Sequence, residues 1–219
     1  MTRPQHPDRP ARHSRRTLLL SLSAAFALPL LQGCFPVVAT GVGAGAAMVS
    51  DRRTSGTYVE DEGIEWKVAA RIRERLGDSV HVNVTSYNRN VLLTGEAPNE
   101  NVRGQLDGIV AGVEHVRGVI NEVAIAPNSS LTARGNDTLI TSNVKARMID
   151  AGTVTAHNIK VVTEANVVFL LGIVTRSEAD AAAEVARTSQ GVRKVVRVFE
   201  YISDEEARRL DNPTGARRN

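Results

Sequence analysis

The feature that most constrains this fold is an internal repeat. Ile64 and Val68 recur as Ile140 and Val144, 76 residues on; Gly95 recurs as Gly172 at 77, and Val116 as Val192 again at 76. One residue enters before the strands and one is lost after the glycine, so both changes fall in loops, where a chain tolerates them. Each copy reads helix–strand–strand–helix–strand, which predicts an α+β protein with two related domains over residues 60–126 and 132–202.

The element pattern is set by period. Ile64, Val68, Ile72 and Leu76 make one helical stripe, and Ile140, Val144 and Met148 make its counterpart. Asp61, Glu62 and Glu65 are expected at the start of the first helix, where the dipole favours acids. Val80, Val82 and Val84 alternate with polar residues, as do Ile159, Val161 and Thr163, the period of a half-buried strand. Val91–Gly95 and Val168–Gly172 are apolar enough for central strands. Pro98-Asn99-Glu100 opens one second helix, and Ser177-Glu178-Ala179-Asp180 reads as a capping box for the other. Val116–Ile125 and Val192–Ile202 complete the units as third strands. The first two strands should form an antiparallel hairpin. The third follows a helical crossover and should run parallel to the second.

The N-terminus is of another kind. An arginine-rich start precedes an apolar run from Leu18 to Leu31, which ends at Leu31-Gln32-Gly33-Cys34. Basic head, short apolar run and small residue before a cut describe a secretory signal. The tetrapeptide resembles a bacterial lipobox, with Gln32 where Ala or Ser is usual. Residues 1–33 are therefore expected to be removed and Cys34, the single cysteine, to carry a diacylglycerol. Lipidation there leaves no thiol for a disulfide, a metal or nucleophilic catalysis. Ser14-Arg15-Arg16 leaves both the general secretory and the twin-arginine routes open. Val37 to Ser50 is small and apolar with three glycines, and residues 34–59 read as a flexible tether. Residues 203–219 read as a disordered tail.

Processing changes the charge. The whole chain has 27 Lys+Arg and 24 Asp+Glu; residues 1–33 hold five of the former and one of the latter, which leaves 22 against 23. A nucleic-acid footprint needs a clustered basic excess, and none survives.

The pattern helix, Val-x-Val, turn, Val-x-Leu-x-Gly, helix, Gly-Val-x-x-Val resembles the BON domain, named for bacterial osmotically inducible and nodulation proteins. In the second unit the last motif is Gly191-Val192-Arg193-Lys194-Val195. A lipobox, a tether and two such units are similar to the dual-BON outer-membrane lipoproteins of Gram-negative bacteria. The resemblance implies two αββαβ domains, each with a three-stranded sheet packed on two helices. The family pattern carries a glycine at the hairpin turn, where this chain has Arg89 and Asn166. His115 stands where Gly191 does in the second copy, and Asn121 where Arg197 does. These departures put the turn geometry of the first unit in question.

No enzymatic constellation appears. His81, His115 and His157 are single histidines without ligand spacing, so neither a metal nor a cofactor is expected. Gly95 and Gly172 are read as structural glycines, each marking a bend or a helix packed close against its strand. Trp66 reads as a packing or surface aromatic, and Arg71, Arg73 and Arg75 as a solvated face. The units differ in charge: residues 60–126 carry seven basic and eleven acidic side chains, residues 132–202 nine and seven. The second unit alone suits an anionic membrane, where each basic residue near the surface contributes about 1 kcal/mol.

The resemblance sharpens this into a site. It implies that the second BON domain binds anionic phospholipid through its first helix, with Leu139, Lys145, Arg147 and Ile149 as the lipid-binding residues. The expected protein is a non-enzymatic lipoprotein on the periplasmic face of the outer membrane, tied there by its N-terminal lipid, that supports envelope integrity under stress. Phe35, where aspartate would signal inner-membrane retention, favours the outer membrane. The alternative is a periplasmic adaptor that binds envelope proteins or peptidoglycan.

Overall fold

A computed structural model of the chain describes residues 51–152 and 156–212. The signal segment, Cys34 and the tether up to residue 50 lie outside the described residues. The element order is α1 (Ser55–Leu76), β1 (His81–Tyr87), β2 (Asn90–Ala97), α2 (Glu100–Ala111), β3 (Gly118–Asn121) and β4 (Ala124–Ile125) in the first unit. The second has α3 (Leu131–Ala151), β5 (Ile159–Glu164), β6 (Val167–Val174), α4 (Arg176–Arg187) and β7 (Lys194–Tyr201), and a closing helix α5 (Asp204–Asp211) follows.

Each unit is the expected αββαβ. β1 pairs antiparallel with β2 from His81↔Glu96 to Tyr87↔Asn90, and β3 joins β2 in parallel. β5 and β6 repeat the hairpin, and β7 runs parallel to β6 from Val167↔Lys194 to Val174↔Tyr201. The third strand of the first unit is broken where that of the second is continuous. The Asn121 side chain accepts from the Val123 N–H two residues on, which kinks the chain between β3 and β4. Arg197, at the matching place, reaches out instead to Asp180 at 2.6 Å.

Both hairpins turn without glycine, and in the same way. Asn88 and Arg89 have φ of 50° and 65°; Ala165 and Asn166 have 48° and 64°. Left-handed backbone costs a residue with a Cβ about 1–2 kcal/mol. A buried aspartate offsets it. Asp61 accepts from the N–H groups of Asn88 and Arg89 at 2.8 and 2.7 Å. Asp137 accepts from those of Ala165 and Asn166, both at 2.9 Å. Bonds to a charged acceptor contribute roughly 1.5–3 kcal/mol each. The turn is therefore specified from the helix. Asp61 does not sit at a helix start, as expected, but in the second turn of α1, facing inward.

Alternation on the central strands explains why they read as unbroken apolar runs. Val91 and Leu93 point to α1 and α2, and Val168 and Leu170 to α3 and α4. The residues between them, Leu92 in one unit and Phe169, Leu171 and Ile173 in the other, meet in a third core with Tyr87. The two sheets thus pack face to face, giving layers in the order helix, sheet, sheet, helix. Burying a side chain the size of Phe169 or Leu171 contributes roughly 1.5–3 kcal/mol. Polar links rim this junction: Lys160 Nζ to Glu65 at 2.7 Å, Asn83 to Glu164 at 2.7 Å, and Tyr87 Oη to the Asn158 carbonyl at 3.2 Å.

Three expectations shift. The tether ends by residue 51 rather than 59, because its charges turn inward. Arg53 pairs with Asp51 and Asp61 at 2.6 and 2.8 Å and lies 4.0 Å over the Tyr87 ring. The tail is ordered through α5, where Ala207 is buried and Leu210 joins the third core. Its apolar residues are too few to show a period in the sequence. The cap of α4 is Thr175 rather than Ser177, with Glu178 closing the capping box.

The two repeat glycines are crowded by backbone carbonyls, Gly95 by that of β1 and Gly172 by that of the 3-10 turn (Ala156–Asn158) just before β5. Gly95 has φ of +114°, and a Cβ there would stand 2.0 Å from the His81 carbonyl oxygen. A Cβ on Gly172 would stand 2.6 Å from the Asn158 carbonyl oxygen.

Candidate functional site

Helix α3 is the element on which the sequence places the lipid contact. The Ser130 hydroxyl caps its start by accepting the Ala133 N–H, and Gly152 ends it in the left-handed region. Ile140, Val144 and Met148 fill the core beneath. The opposite face is unusual for a surface helix. Leu131, Leu139 and Ile149 are 83%, 70% and 64% exposed. Leu131 and Ile149 are 18 residues apart, five whole turns, so they share one azimuth about 27 Å apart along the axis. Ser142, Thr138 and Ala146 lie between them and are exposed. Of the two acids of α3, Asp137 is buried under the β5–β6 turn, and Asp150, just past Ile149, is exposed. Leu131 lies outside the stripe that marks this helix in the sequence, because the helix begins nine residues before Ile140.

The predicted residues divide. Leu139, Lys145 and Ile149 are exposed on this face, and among the described residues Lys145 has no ion pair within 4 Å. Partial burial of its ammonium and, second, the charge of Lys160 lower its proton affinity from the ordinary lysine value. Arg147 is a correction. Its guanidinium donates to the Val185 carbonyl at 3.1 Å, Ser189 Oγ at 2.7 Å and Thr188 Oγ1 at 3.1 Å. It closes the C-terminal end of α4, where the helix presents bare carbonyls that attract a cation. Helical spacing put it near the lipid face; the neighbouring helix holds it. Arg193 and Lys194, just beyond Gly191, are exposed as well; Arg193 donates to the Ala165 carbonyl at 3.2 Å.

Beside Leu139 runs an open groove lined by Asn136, Ile140, Asn143, Gln190 and Gly191, without a charged group. The repeat supplies its control. The matching groove of the first unit is lined by Val59, Glu60, Gly63, Ile64, Lys67, Glu114 and His115. Gly63 there replaces Leu139, and Glu60, Lys67 and Glu114 replace Asn136, Asn143 and Gln190. Those charges are tied to one another: Lys67 to Glu114 at 3.9 Å, and Glu60 to Arg89 at 2.6 Å and His115 at 3.4 Å. One scaffold thus carries a charged groove in one copy and a neutral groove with a projecting leucine in the other. Only the second loses little on leaving water.

Among the described residues no helix is long and apolar enough to cross a membrane. Metal-ligating side chains converge at His81, Glu96 and Glu164, at the junction of the units rather than on this face.

Comparison with known proteins agrees with the repeat. Residues 61–127 and 136–203 each match the BON domain family. The chain is 40% identical over 174 residues to the outer membrane lipoprotein DolP of Haemophilus influenzae, covering 78% of this chain and 90% of that one. It is 36% identical over 154 residues to the 21 kDa hemolysin of Actinobacillus pleuropneumoniae, covering 69% and 79%. It is 27% identical over 160 residues to osmotically-inducible protein Y of Escherichia coli, covering 71% and 80%.

Proposed function

The chain belongs to the BON domain family, and on that premise we propose that it docks on anionic phospholipid through the outer face of α3, in the second of its two BON domains. It is an outer-membrane lipoprotein, like the Haemophilus influenzae relative. Cys34 is the anchor, and the tether from it leads to the two packed domains. Leu131, Leu139 and Ile149 enter the headgroup layer, while Lys145, Arg193 and Lys194 meet phosphates. Arg147 serves α4 instead. Docking holds the domains against the leaflet and supports envelope integrity.

The observation that carries this reading is the outer face of α3, with three exposed apolar residues over five turns and a single exposed acid, Asp150, at its C-terminal end. Monomeric proteins scatter exposed apolar residues singly; alignment on one helix face with flanking lysine suits an interfacial contact. The relatives are lipoproteins and osmotic-response proteins rather than enzyme families.

Vesicle co-sedimentation tests it. The unlipidated chain, residues 35–219, should bind phosphatidylglycerol vesicles and ignore phosphatidylcholine ones. Leu139→Glu and Lys145→Glu should each weaken binding about fivefold or more, since one basic residue near the surface contributes about 1 kcal/mol. Arg103→Glu, on α2, should change nothing. Binding that is indifferent to headgroup charge, or to both α3 substitutions in folded protein, would favour an adaptor for envelope proteins or peptidoglycan.

A further inference from the structure

The junction of the two units holds a group that the lipid reading does not use. His81 opens β1, Glu96 pairs with it across the hairpin from β2, and Glu164 comes from the end of β5 in the other unit. One ligand atom of each lies within 4.8 Å of the other two. Glu96 and Glu164 are 5% and 7% exposed. The His81 Nε2 is buried and is the one such side-chain atom among the described residues without a hydrogen-bond partner.

From this convergence we infer that His81, Glu96 and Glu164 form a divalent transition-metal site, best matched to zinc, that clamps the first BON domain to the second. One imidazole and two carboxylates make a borderline donor set of the kind zinc accepts, with a fourth position left for water. Ligands about 2.1 Å from a tetrahedral ion stand about 3.4 Å apart, so the group closes by about an ångström or so on binding. The surrounding shell is built for this. The Ser129 N–H donates to Glu96 Oε2 at 3.1 Å, and Asn83 and Thr94 donate to Glu164 Oε2 at 2.7 and 3.4 Å. Such bonds orient ligating carboxylates. An open cleft of about 340 Å³, bordered by His81, Asn83 and Glu164, gives the ion a way in. Arg134, at its mouth, is engaged with Ser129 at 2.9 Å.

The repeat shows that the fold does not require these residues. At an offset of 77, Glu164 corresponds to Tyr87, His81 to Asn158 and Glu96 to Ile173. At that second corner Tyr87 donates to the Asn158 carbonyl, and Ile173 packs against Tyr87 in the third core. The same three places are closed there by packing and a neutral hydrogen bond. At the first corner two buried carboxylates come together beside an imidazole whose buried Nε2 has no partner.

The test is titration of zinc sulfate into the full-length chain, purified in detergent and stripped with EDTA, with calorimetry and thermal unfolding as readouts. One ion should bind per chain. At zinc 100-fold above its Kd the Tm should rise by about 5–10 °C, and EDTA should reverse the rise. Glu164→Gln keeps an oxygen for Asn83 and Thr94 and removes a buried charge, so it should fold. It and His81→Gln should each lose the stoichiometric binding and the shift, and magnesium should not replace zinc. No saturable binding at 100 times the protein concentration would overturn the assignment. So would equal binding in both variants, which would place the ion on surface groups, or an equal response to magnesium, which would remove the imidazole from the site.

Discussion

Arg52 lies at the end of what the sequence presents as a tether, yet its side chain is 2% exposed. Every guanidinium N–H is used. Nε and Nη2 donate to the Asp211 carboxylate, both at 2.9 Å; Nη1 and Nη2 donate to Glu178 at 2.7 and 2.8 Å; Nη1 also donates to the Ile173 carbonyl at 2.9 Å. One side chain from before the first BON domain therefore pins α4 and α5 of the second. Removing one partner of a buried pair costs about 3–5 kcal/mol, because the charge left behind is unpaired. Here the orphans differ. Glu178 is 20% exposed and Asp211 40%, so water recovers much of Asp211, and an exposed pair contributes about 0–1 kcal/mol. Arg52→Ala should then cost about 3 kcal/mol, most of it at Glu178 and the Ile173 carbonyl. Arg52→Lys, with three donors on a point charge, should recover part of it.

Urea unfolding of the chain at pH 7 measures the loss, and limited proteolysis should release α5 first. Acid gives an independent readout. The Arg52 hydrogen bonds, opposed by burial, hold Asp211 below the ordinary carboxylate range. At Glu178 burial pulls upward, but Arg52 and the Thr175 N–H outweigh it and hold the group low. Carboxyls with depressed folded-state pKa values stabilise the fold above their unfolded values, about 4, and that stability is lost as pH falls through the lower folded values. The wild type should therefore lose stability below about pH 4, and Arg52→Ala should lose correspondingly less there. A cost under about 1 kcal/mol, or an unchanged acid slope, would show that the guanidinium is not the clamp described.

Three further outcomes are expected. Gly95→Ala and Gly172→Ala should each destabilise by roughly 1–3 kcal/mol, Gly95→Ala the more because it meets both a carbonyl and a positive φ; equal Tm values for wild type and variants would refute the crowding. Trp66, the single tryptophan and 78% exposed, lies on α1 across both sheets from α3, so its emission should stay unshifted when the chain binds anionic vesicles. A blue shift would put the first domain, not the second, on the membrane. Cys34→Ser should leave the membrane fraction and accumulate uncut, since each buried methylene of an acyl anchor contributes about 0.8 kcal/mol; normal processing and retention would remove the anchor.

The fold was legible because its signals are local and doubled. The Ile64 and Ile140 stripes, the alternating valines and the two glycines each appear twice at one offset, so each copy checks the other. What stayed hidden is what one copy does to the other. Val91-Leu92-Leu93 shows a strand buried on both faces but not that a second sheet covers it. Arg52 looks solvated because charge says nothing about direction; its partners lie 126 and 159 residues away. Arg147 failed for the same reason in reverse: helical spacing gave its azimuth but not the α4 carbonyls waiting there. His81 was set aside for want of ligand spacing, and spacing is uninformative when ligands 15 and 83 residues on arrive by strand pairing and by domain packing.

The face-to-face sheets also decide how a membrane contact would act. A second domain joined only by a linker could lie on the leaflet while the first tumbled free. Here Leu92, Phe169, Leu171 and Ile173 share one core, and Arg52, Lys160 and Asn83 cross the junction. A contact made by α3 would therefore orient α1 and α2 as well. The same packing makes the isolated second domain a poor reagent, because cutting at residue 132 would bare the apolar face of β6 and remove Arg52 from Glu178. The copies thus differ at their outer grooves, Glu60 against Asn136 and Gly63 against Leu139, while both hold the aspartate that sets the turn and the glycine beside a close carbonyl.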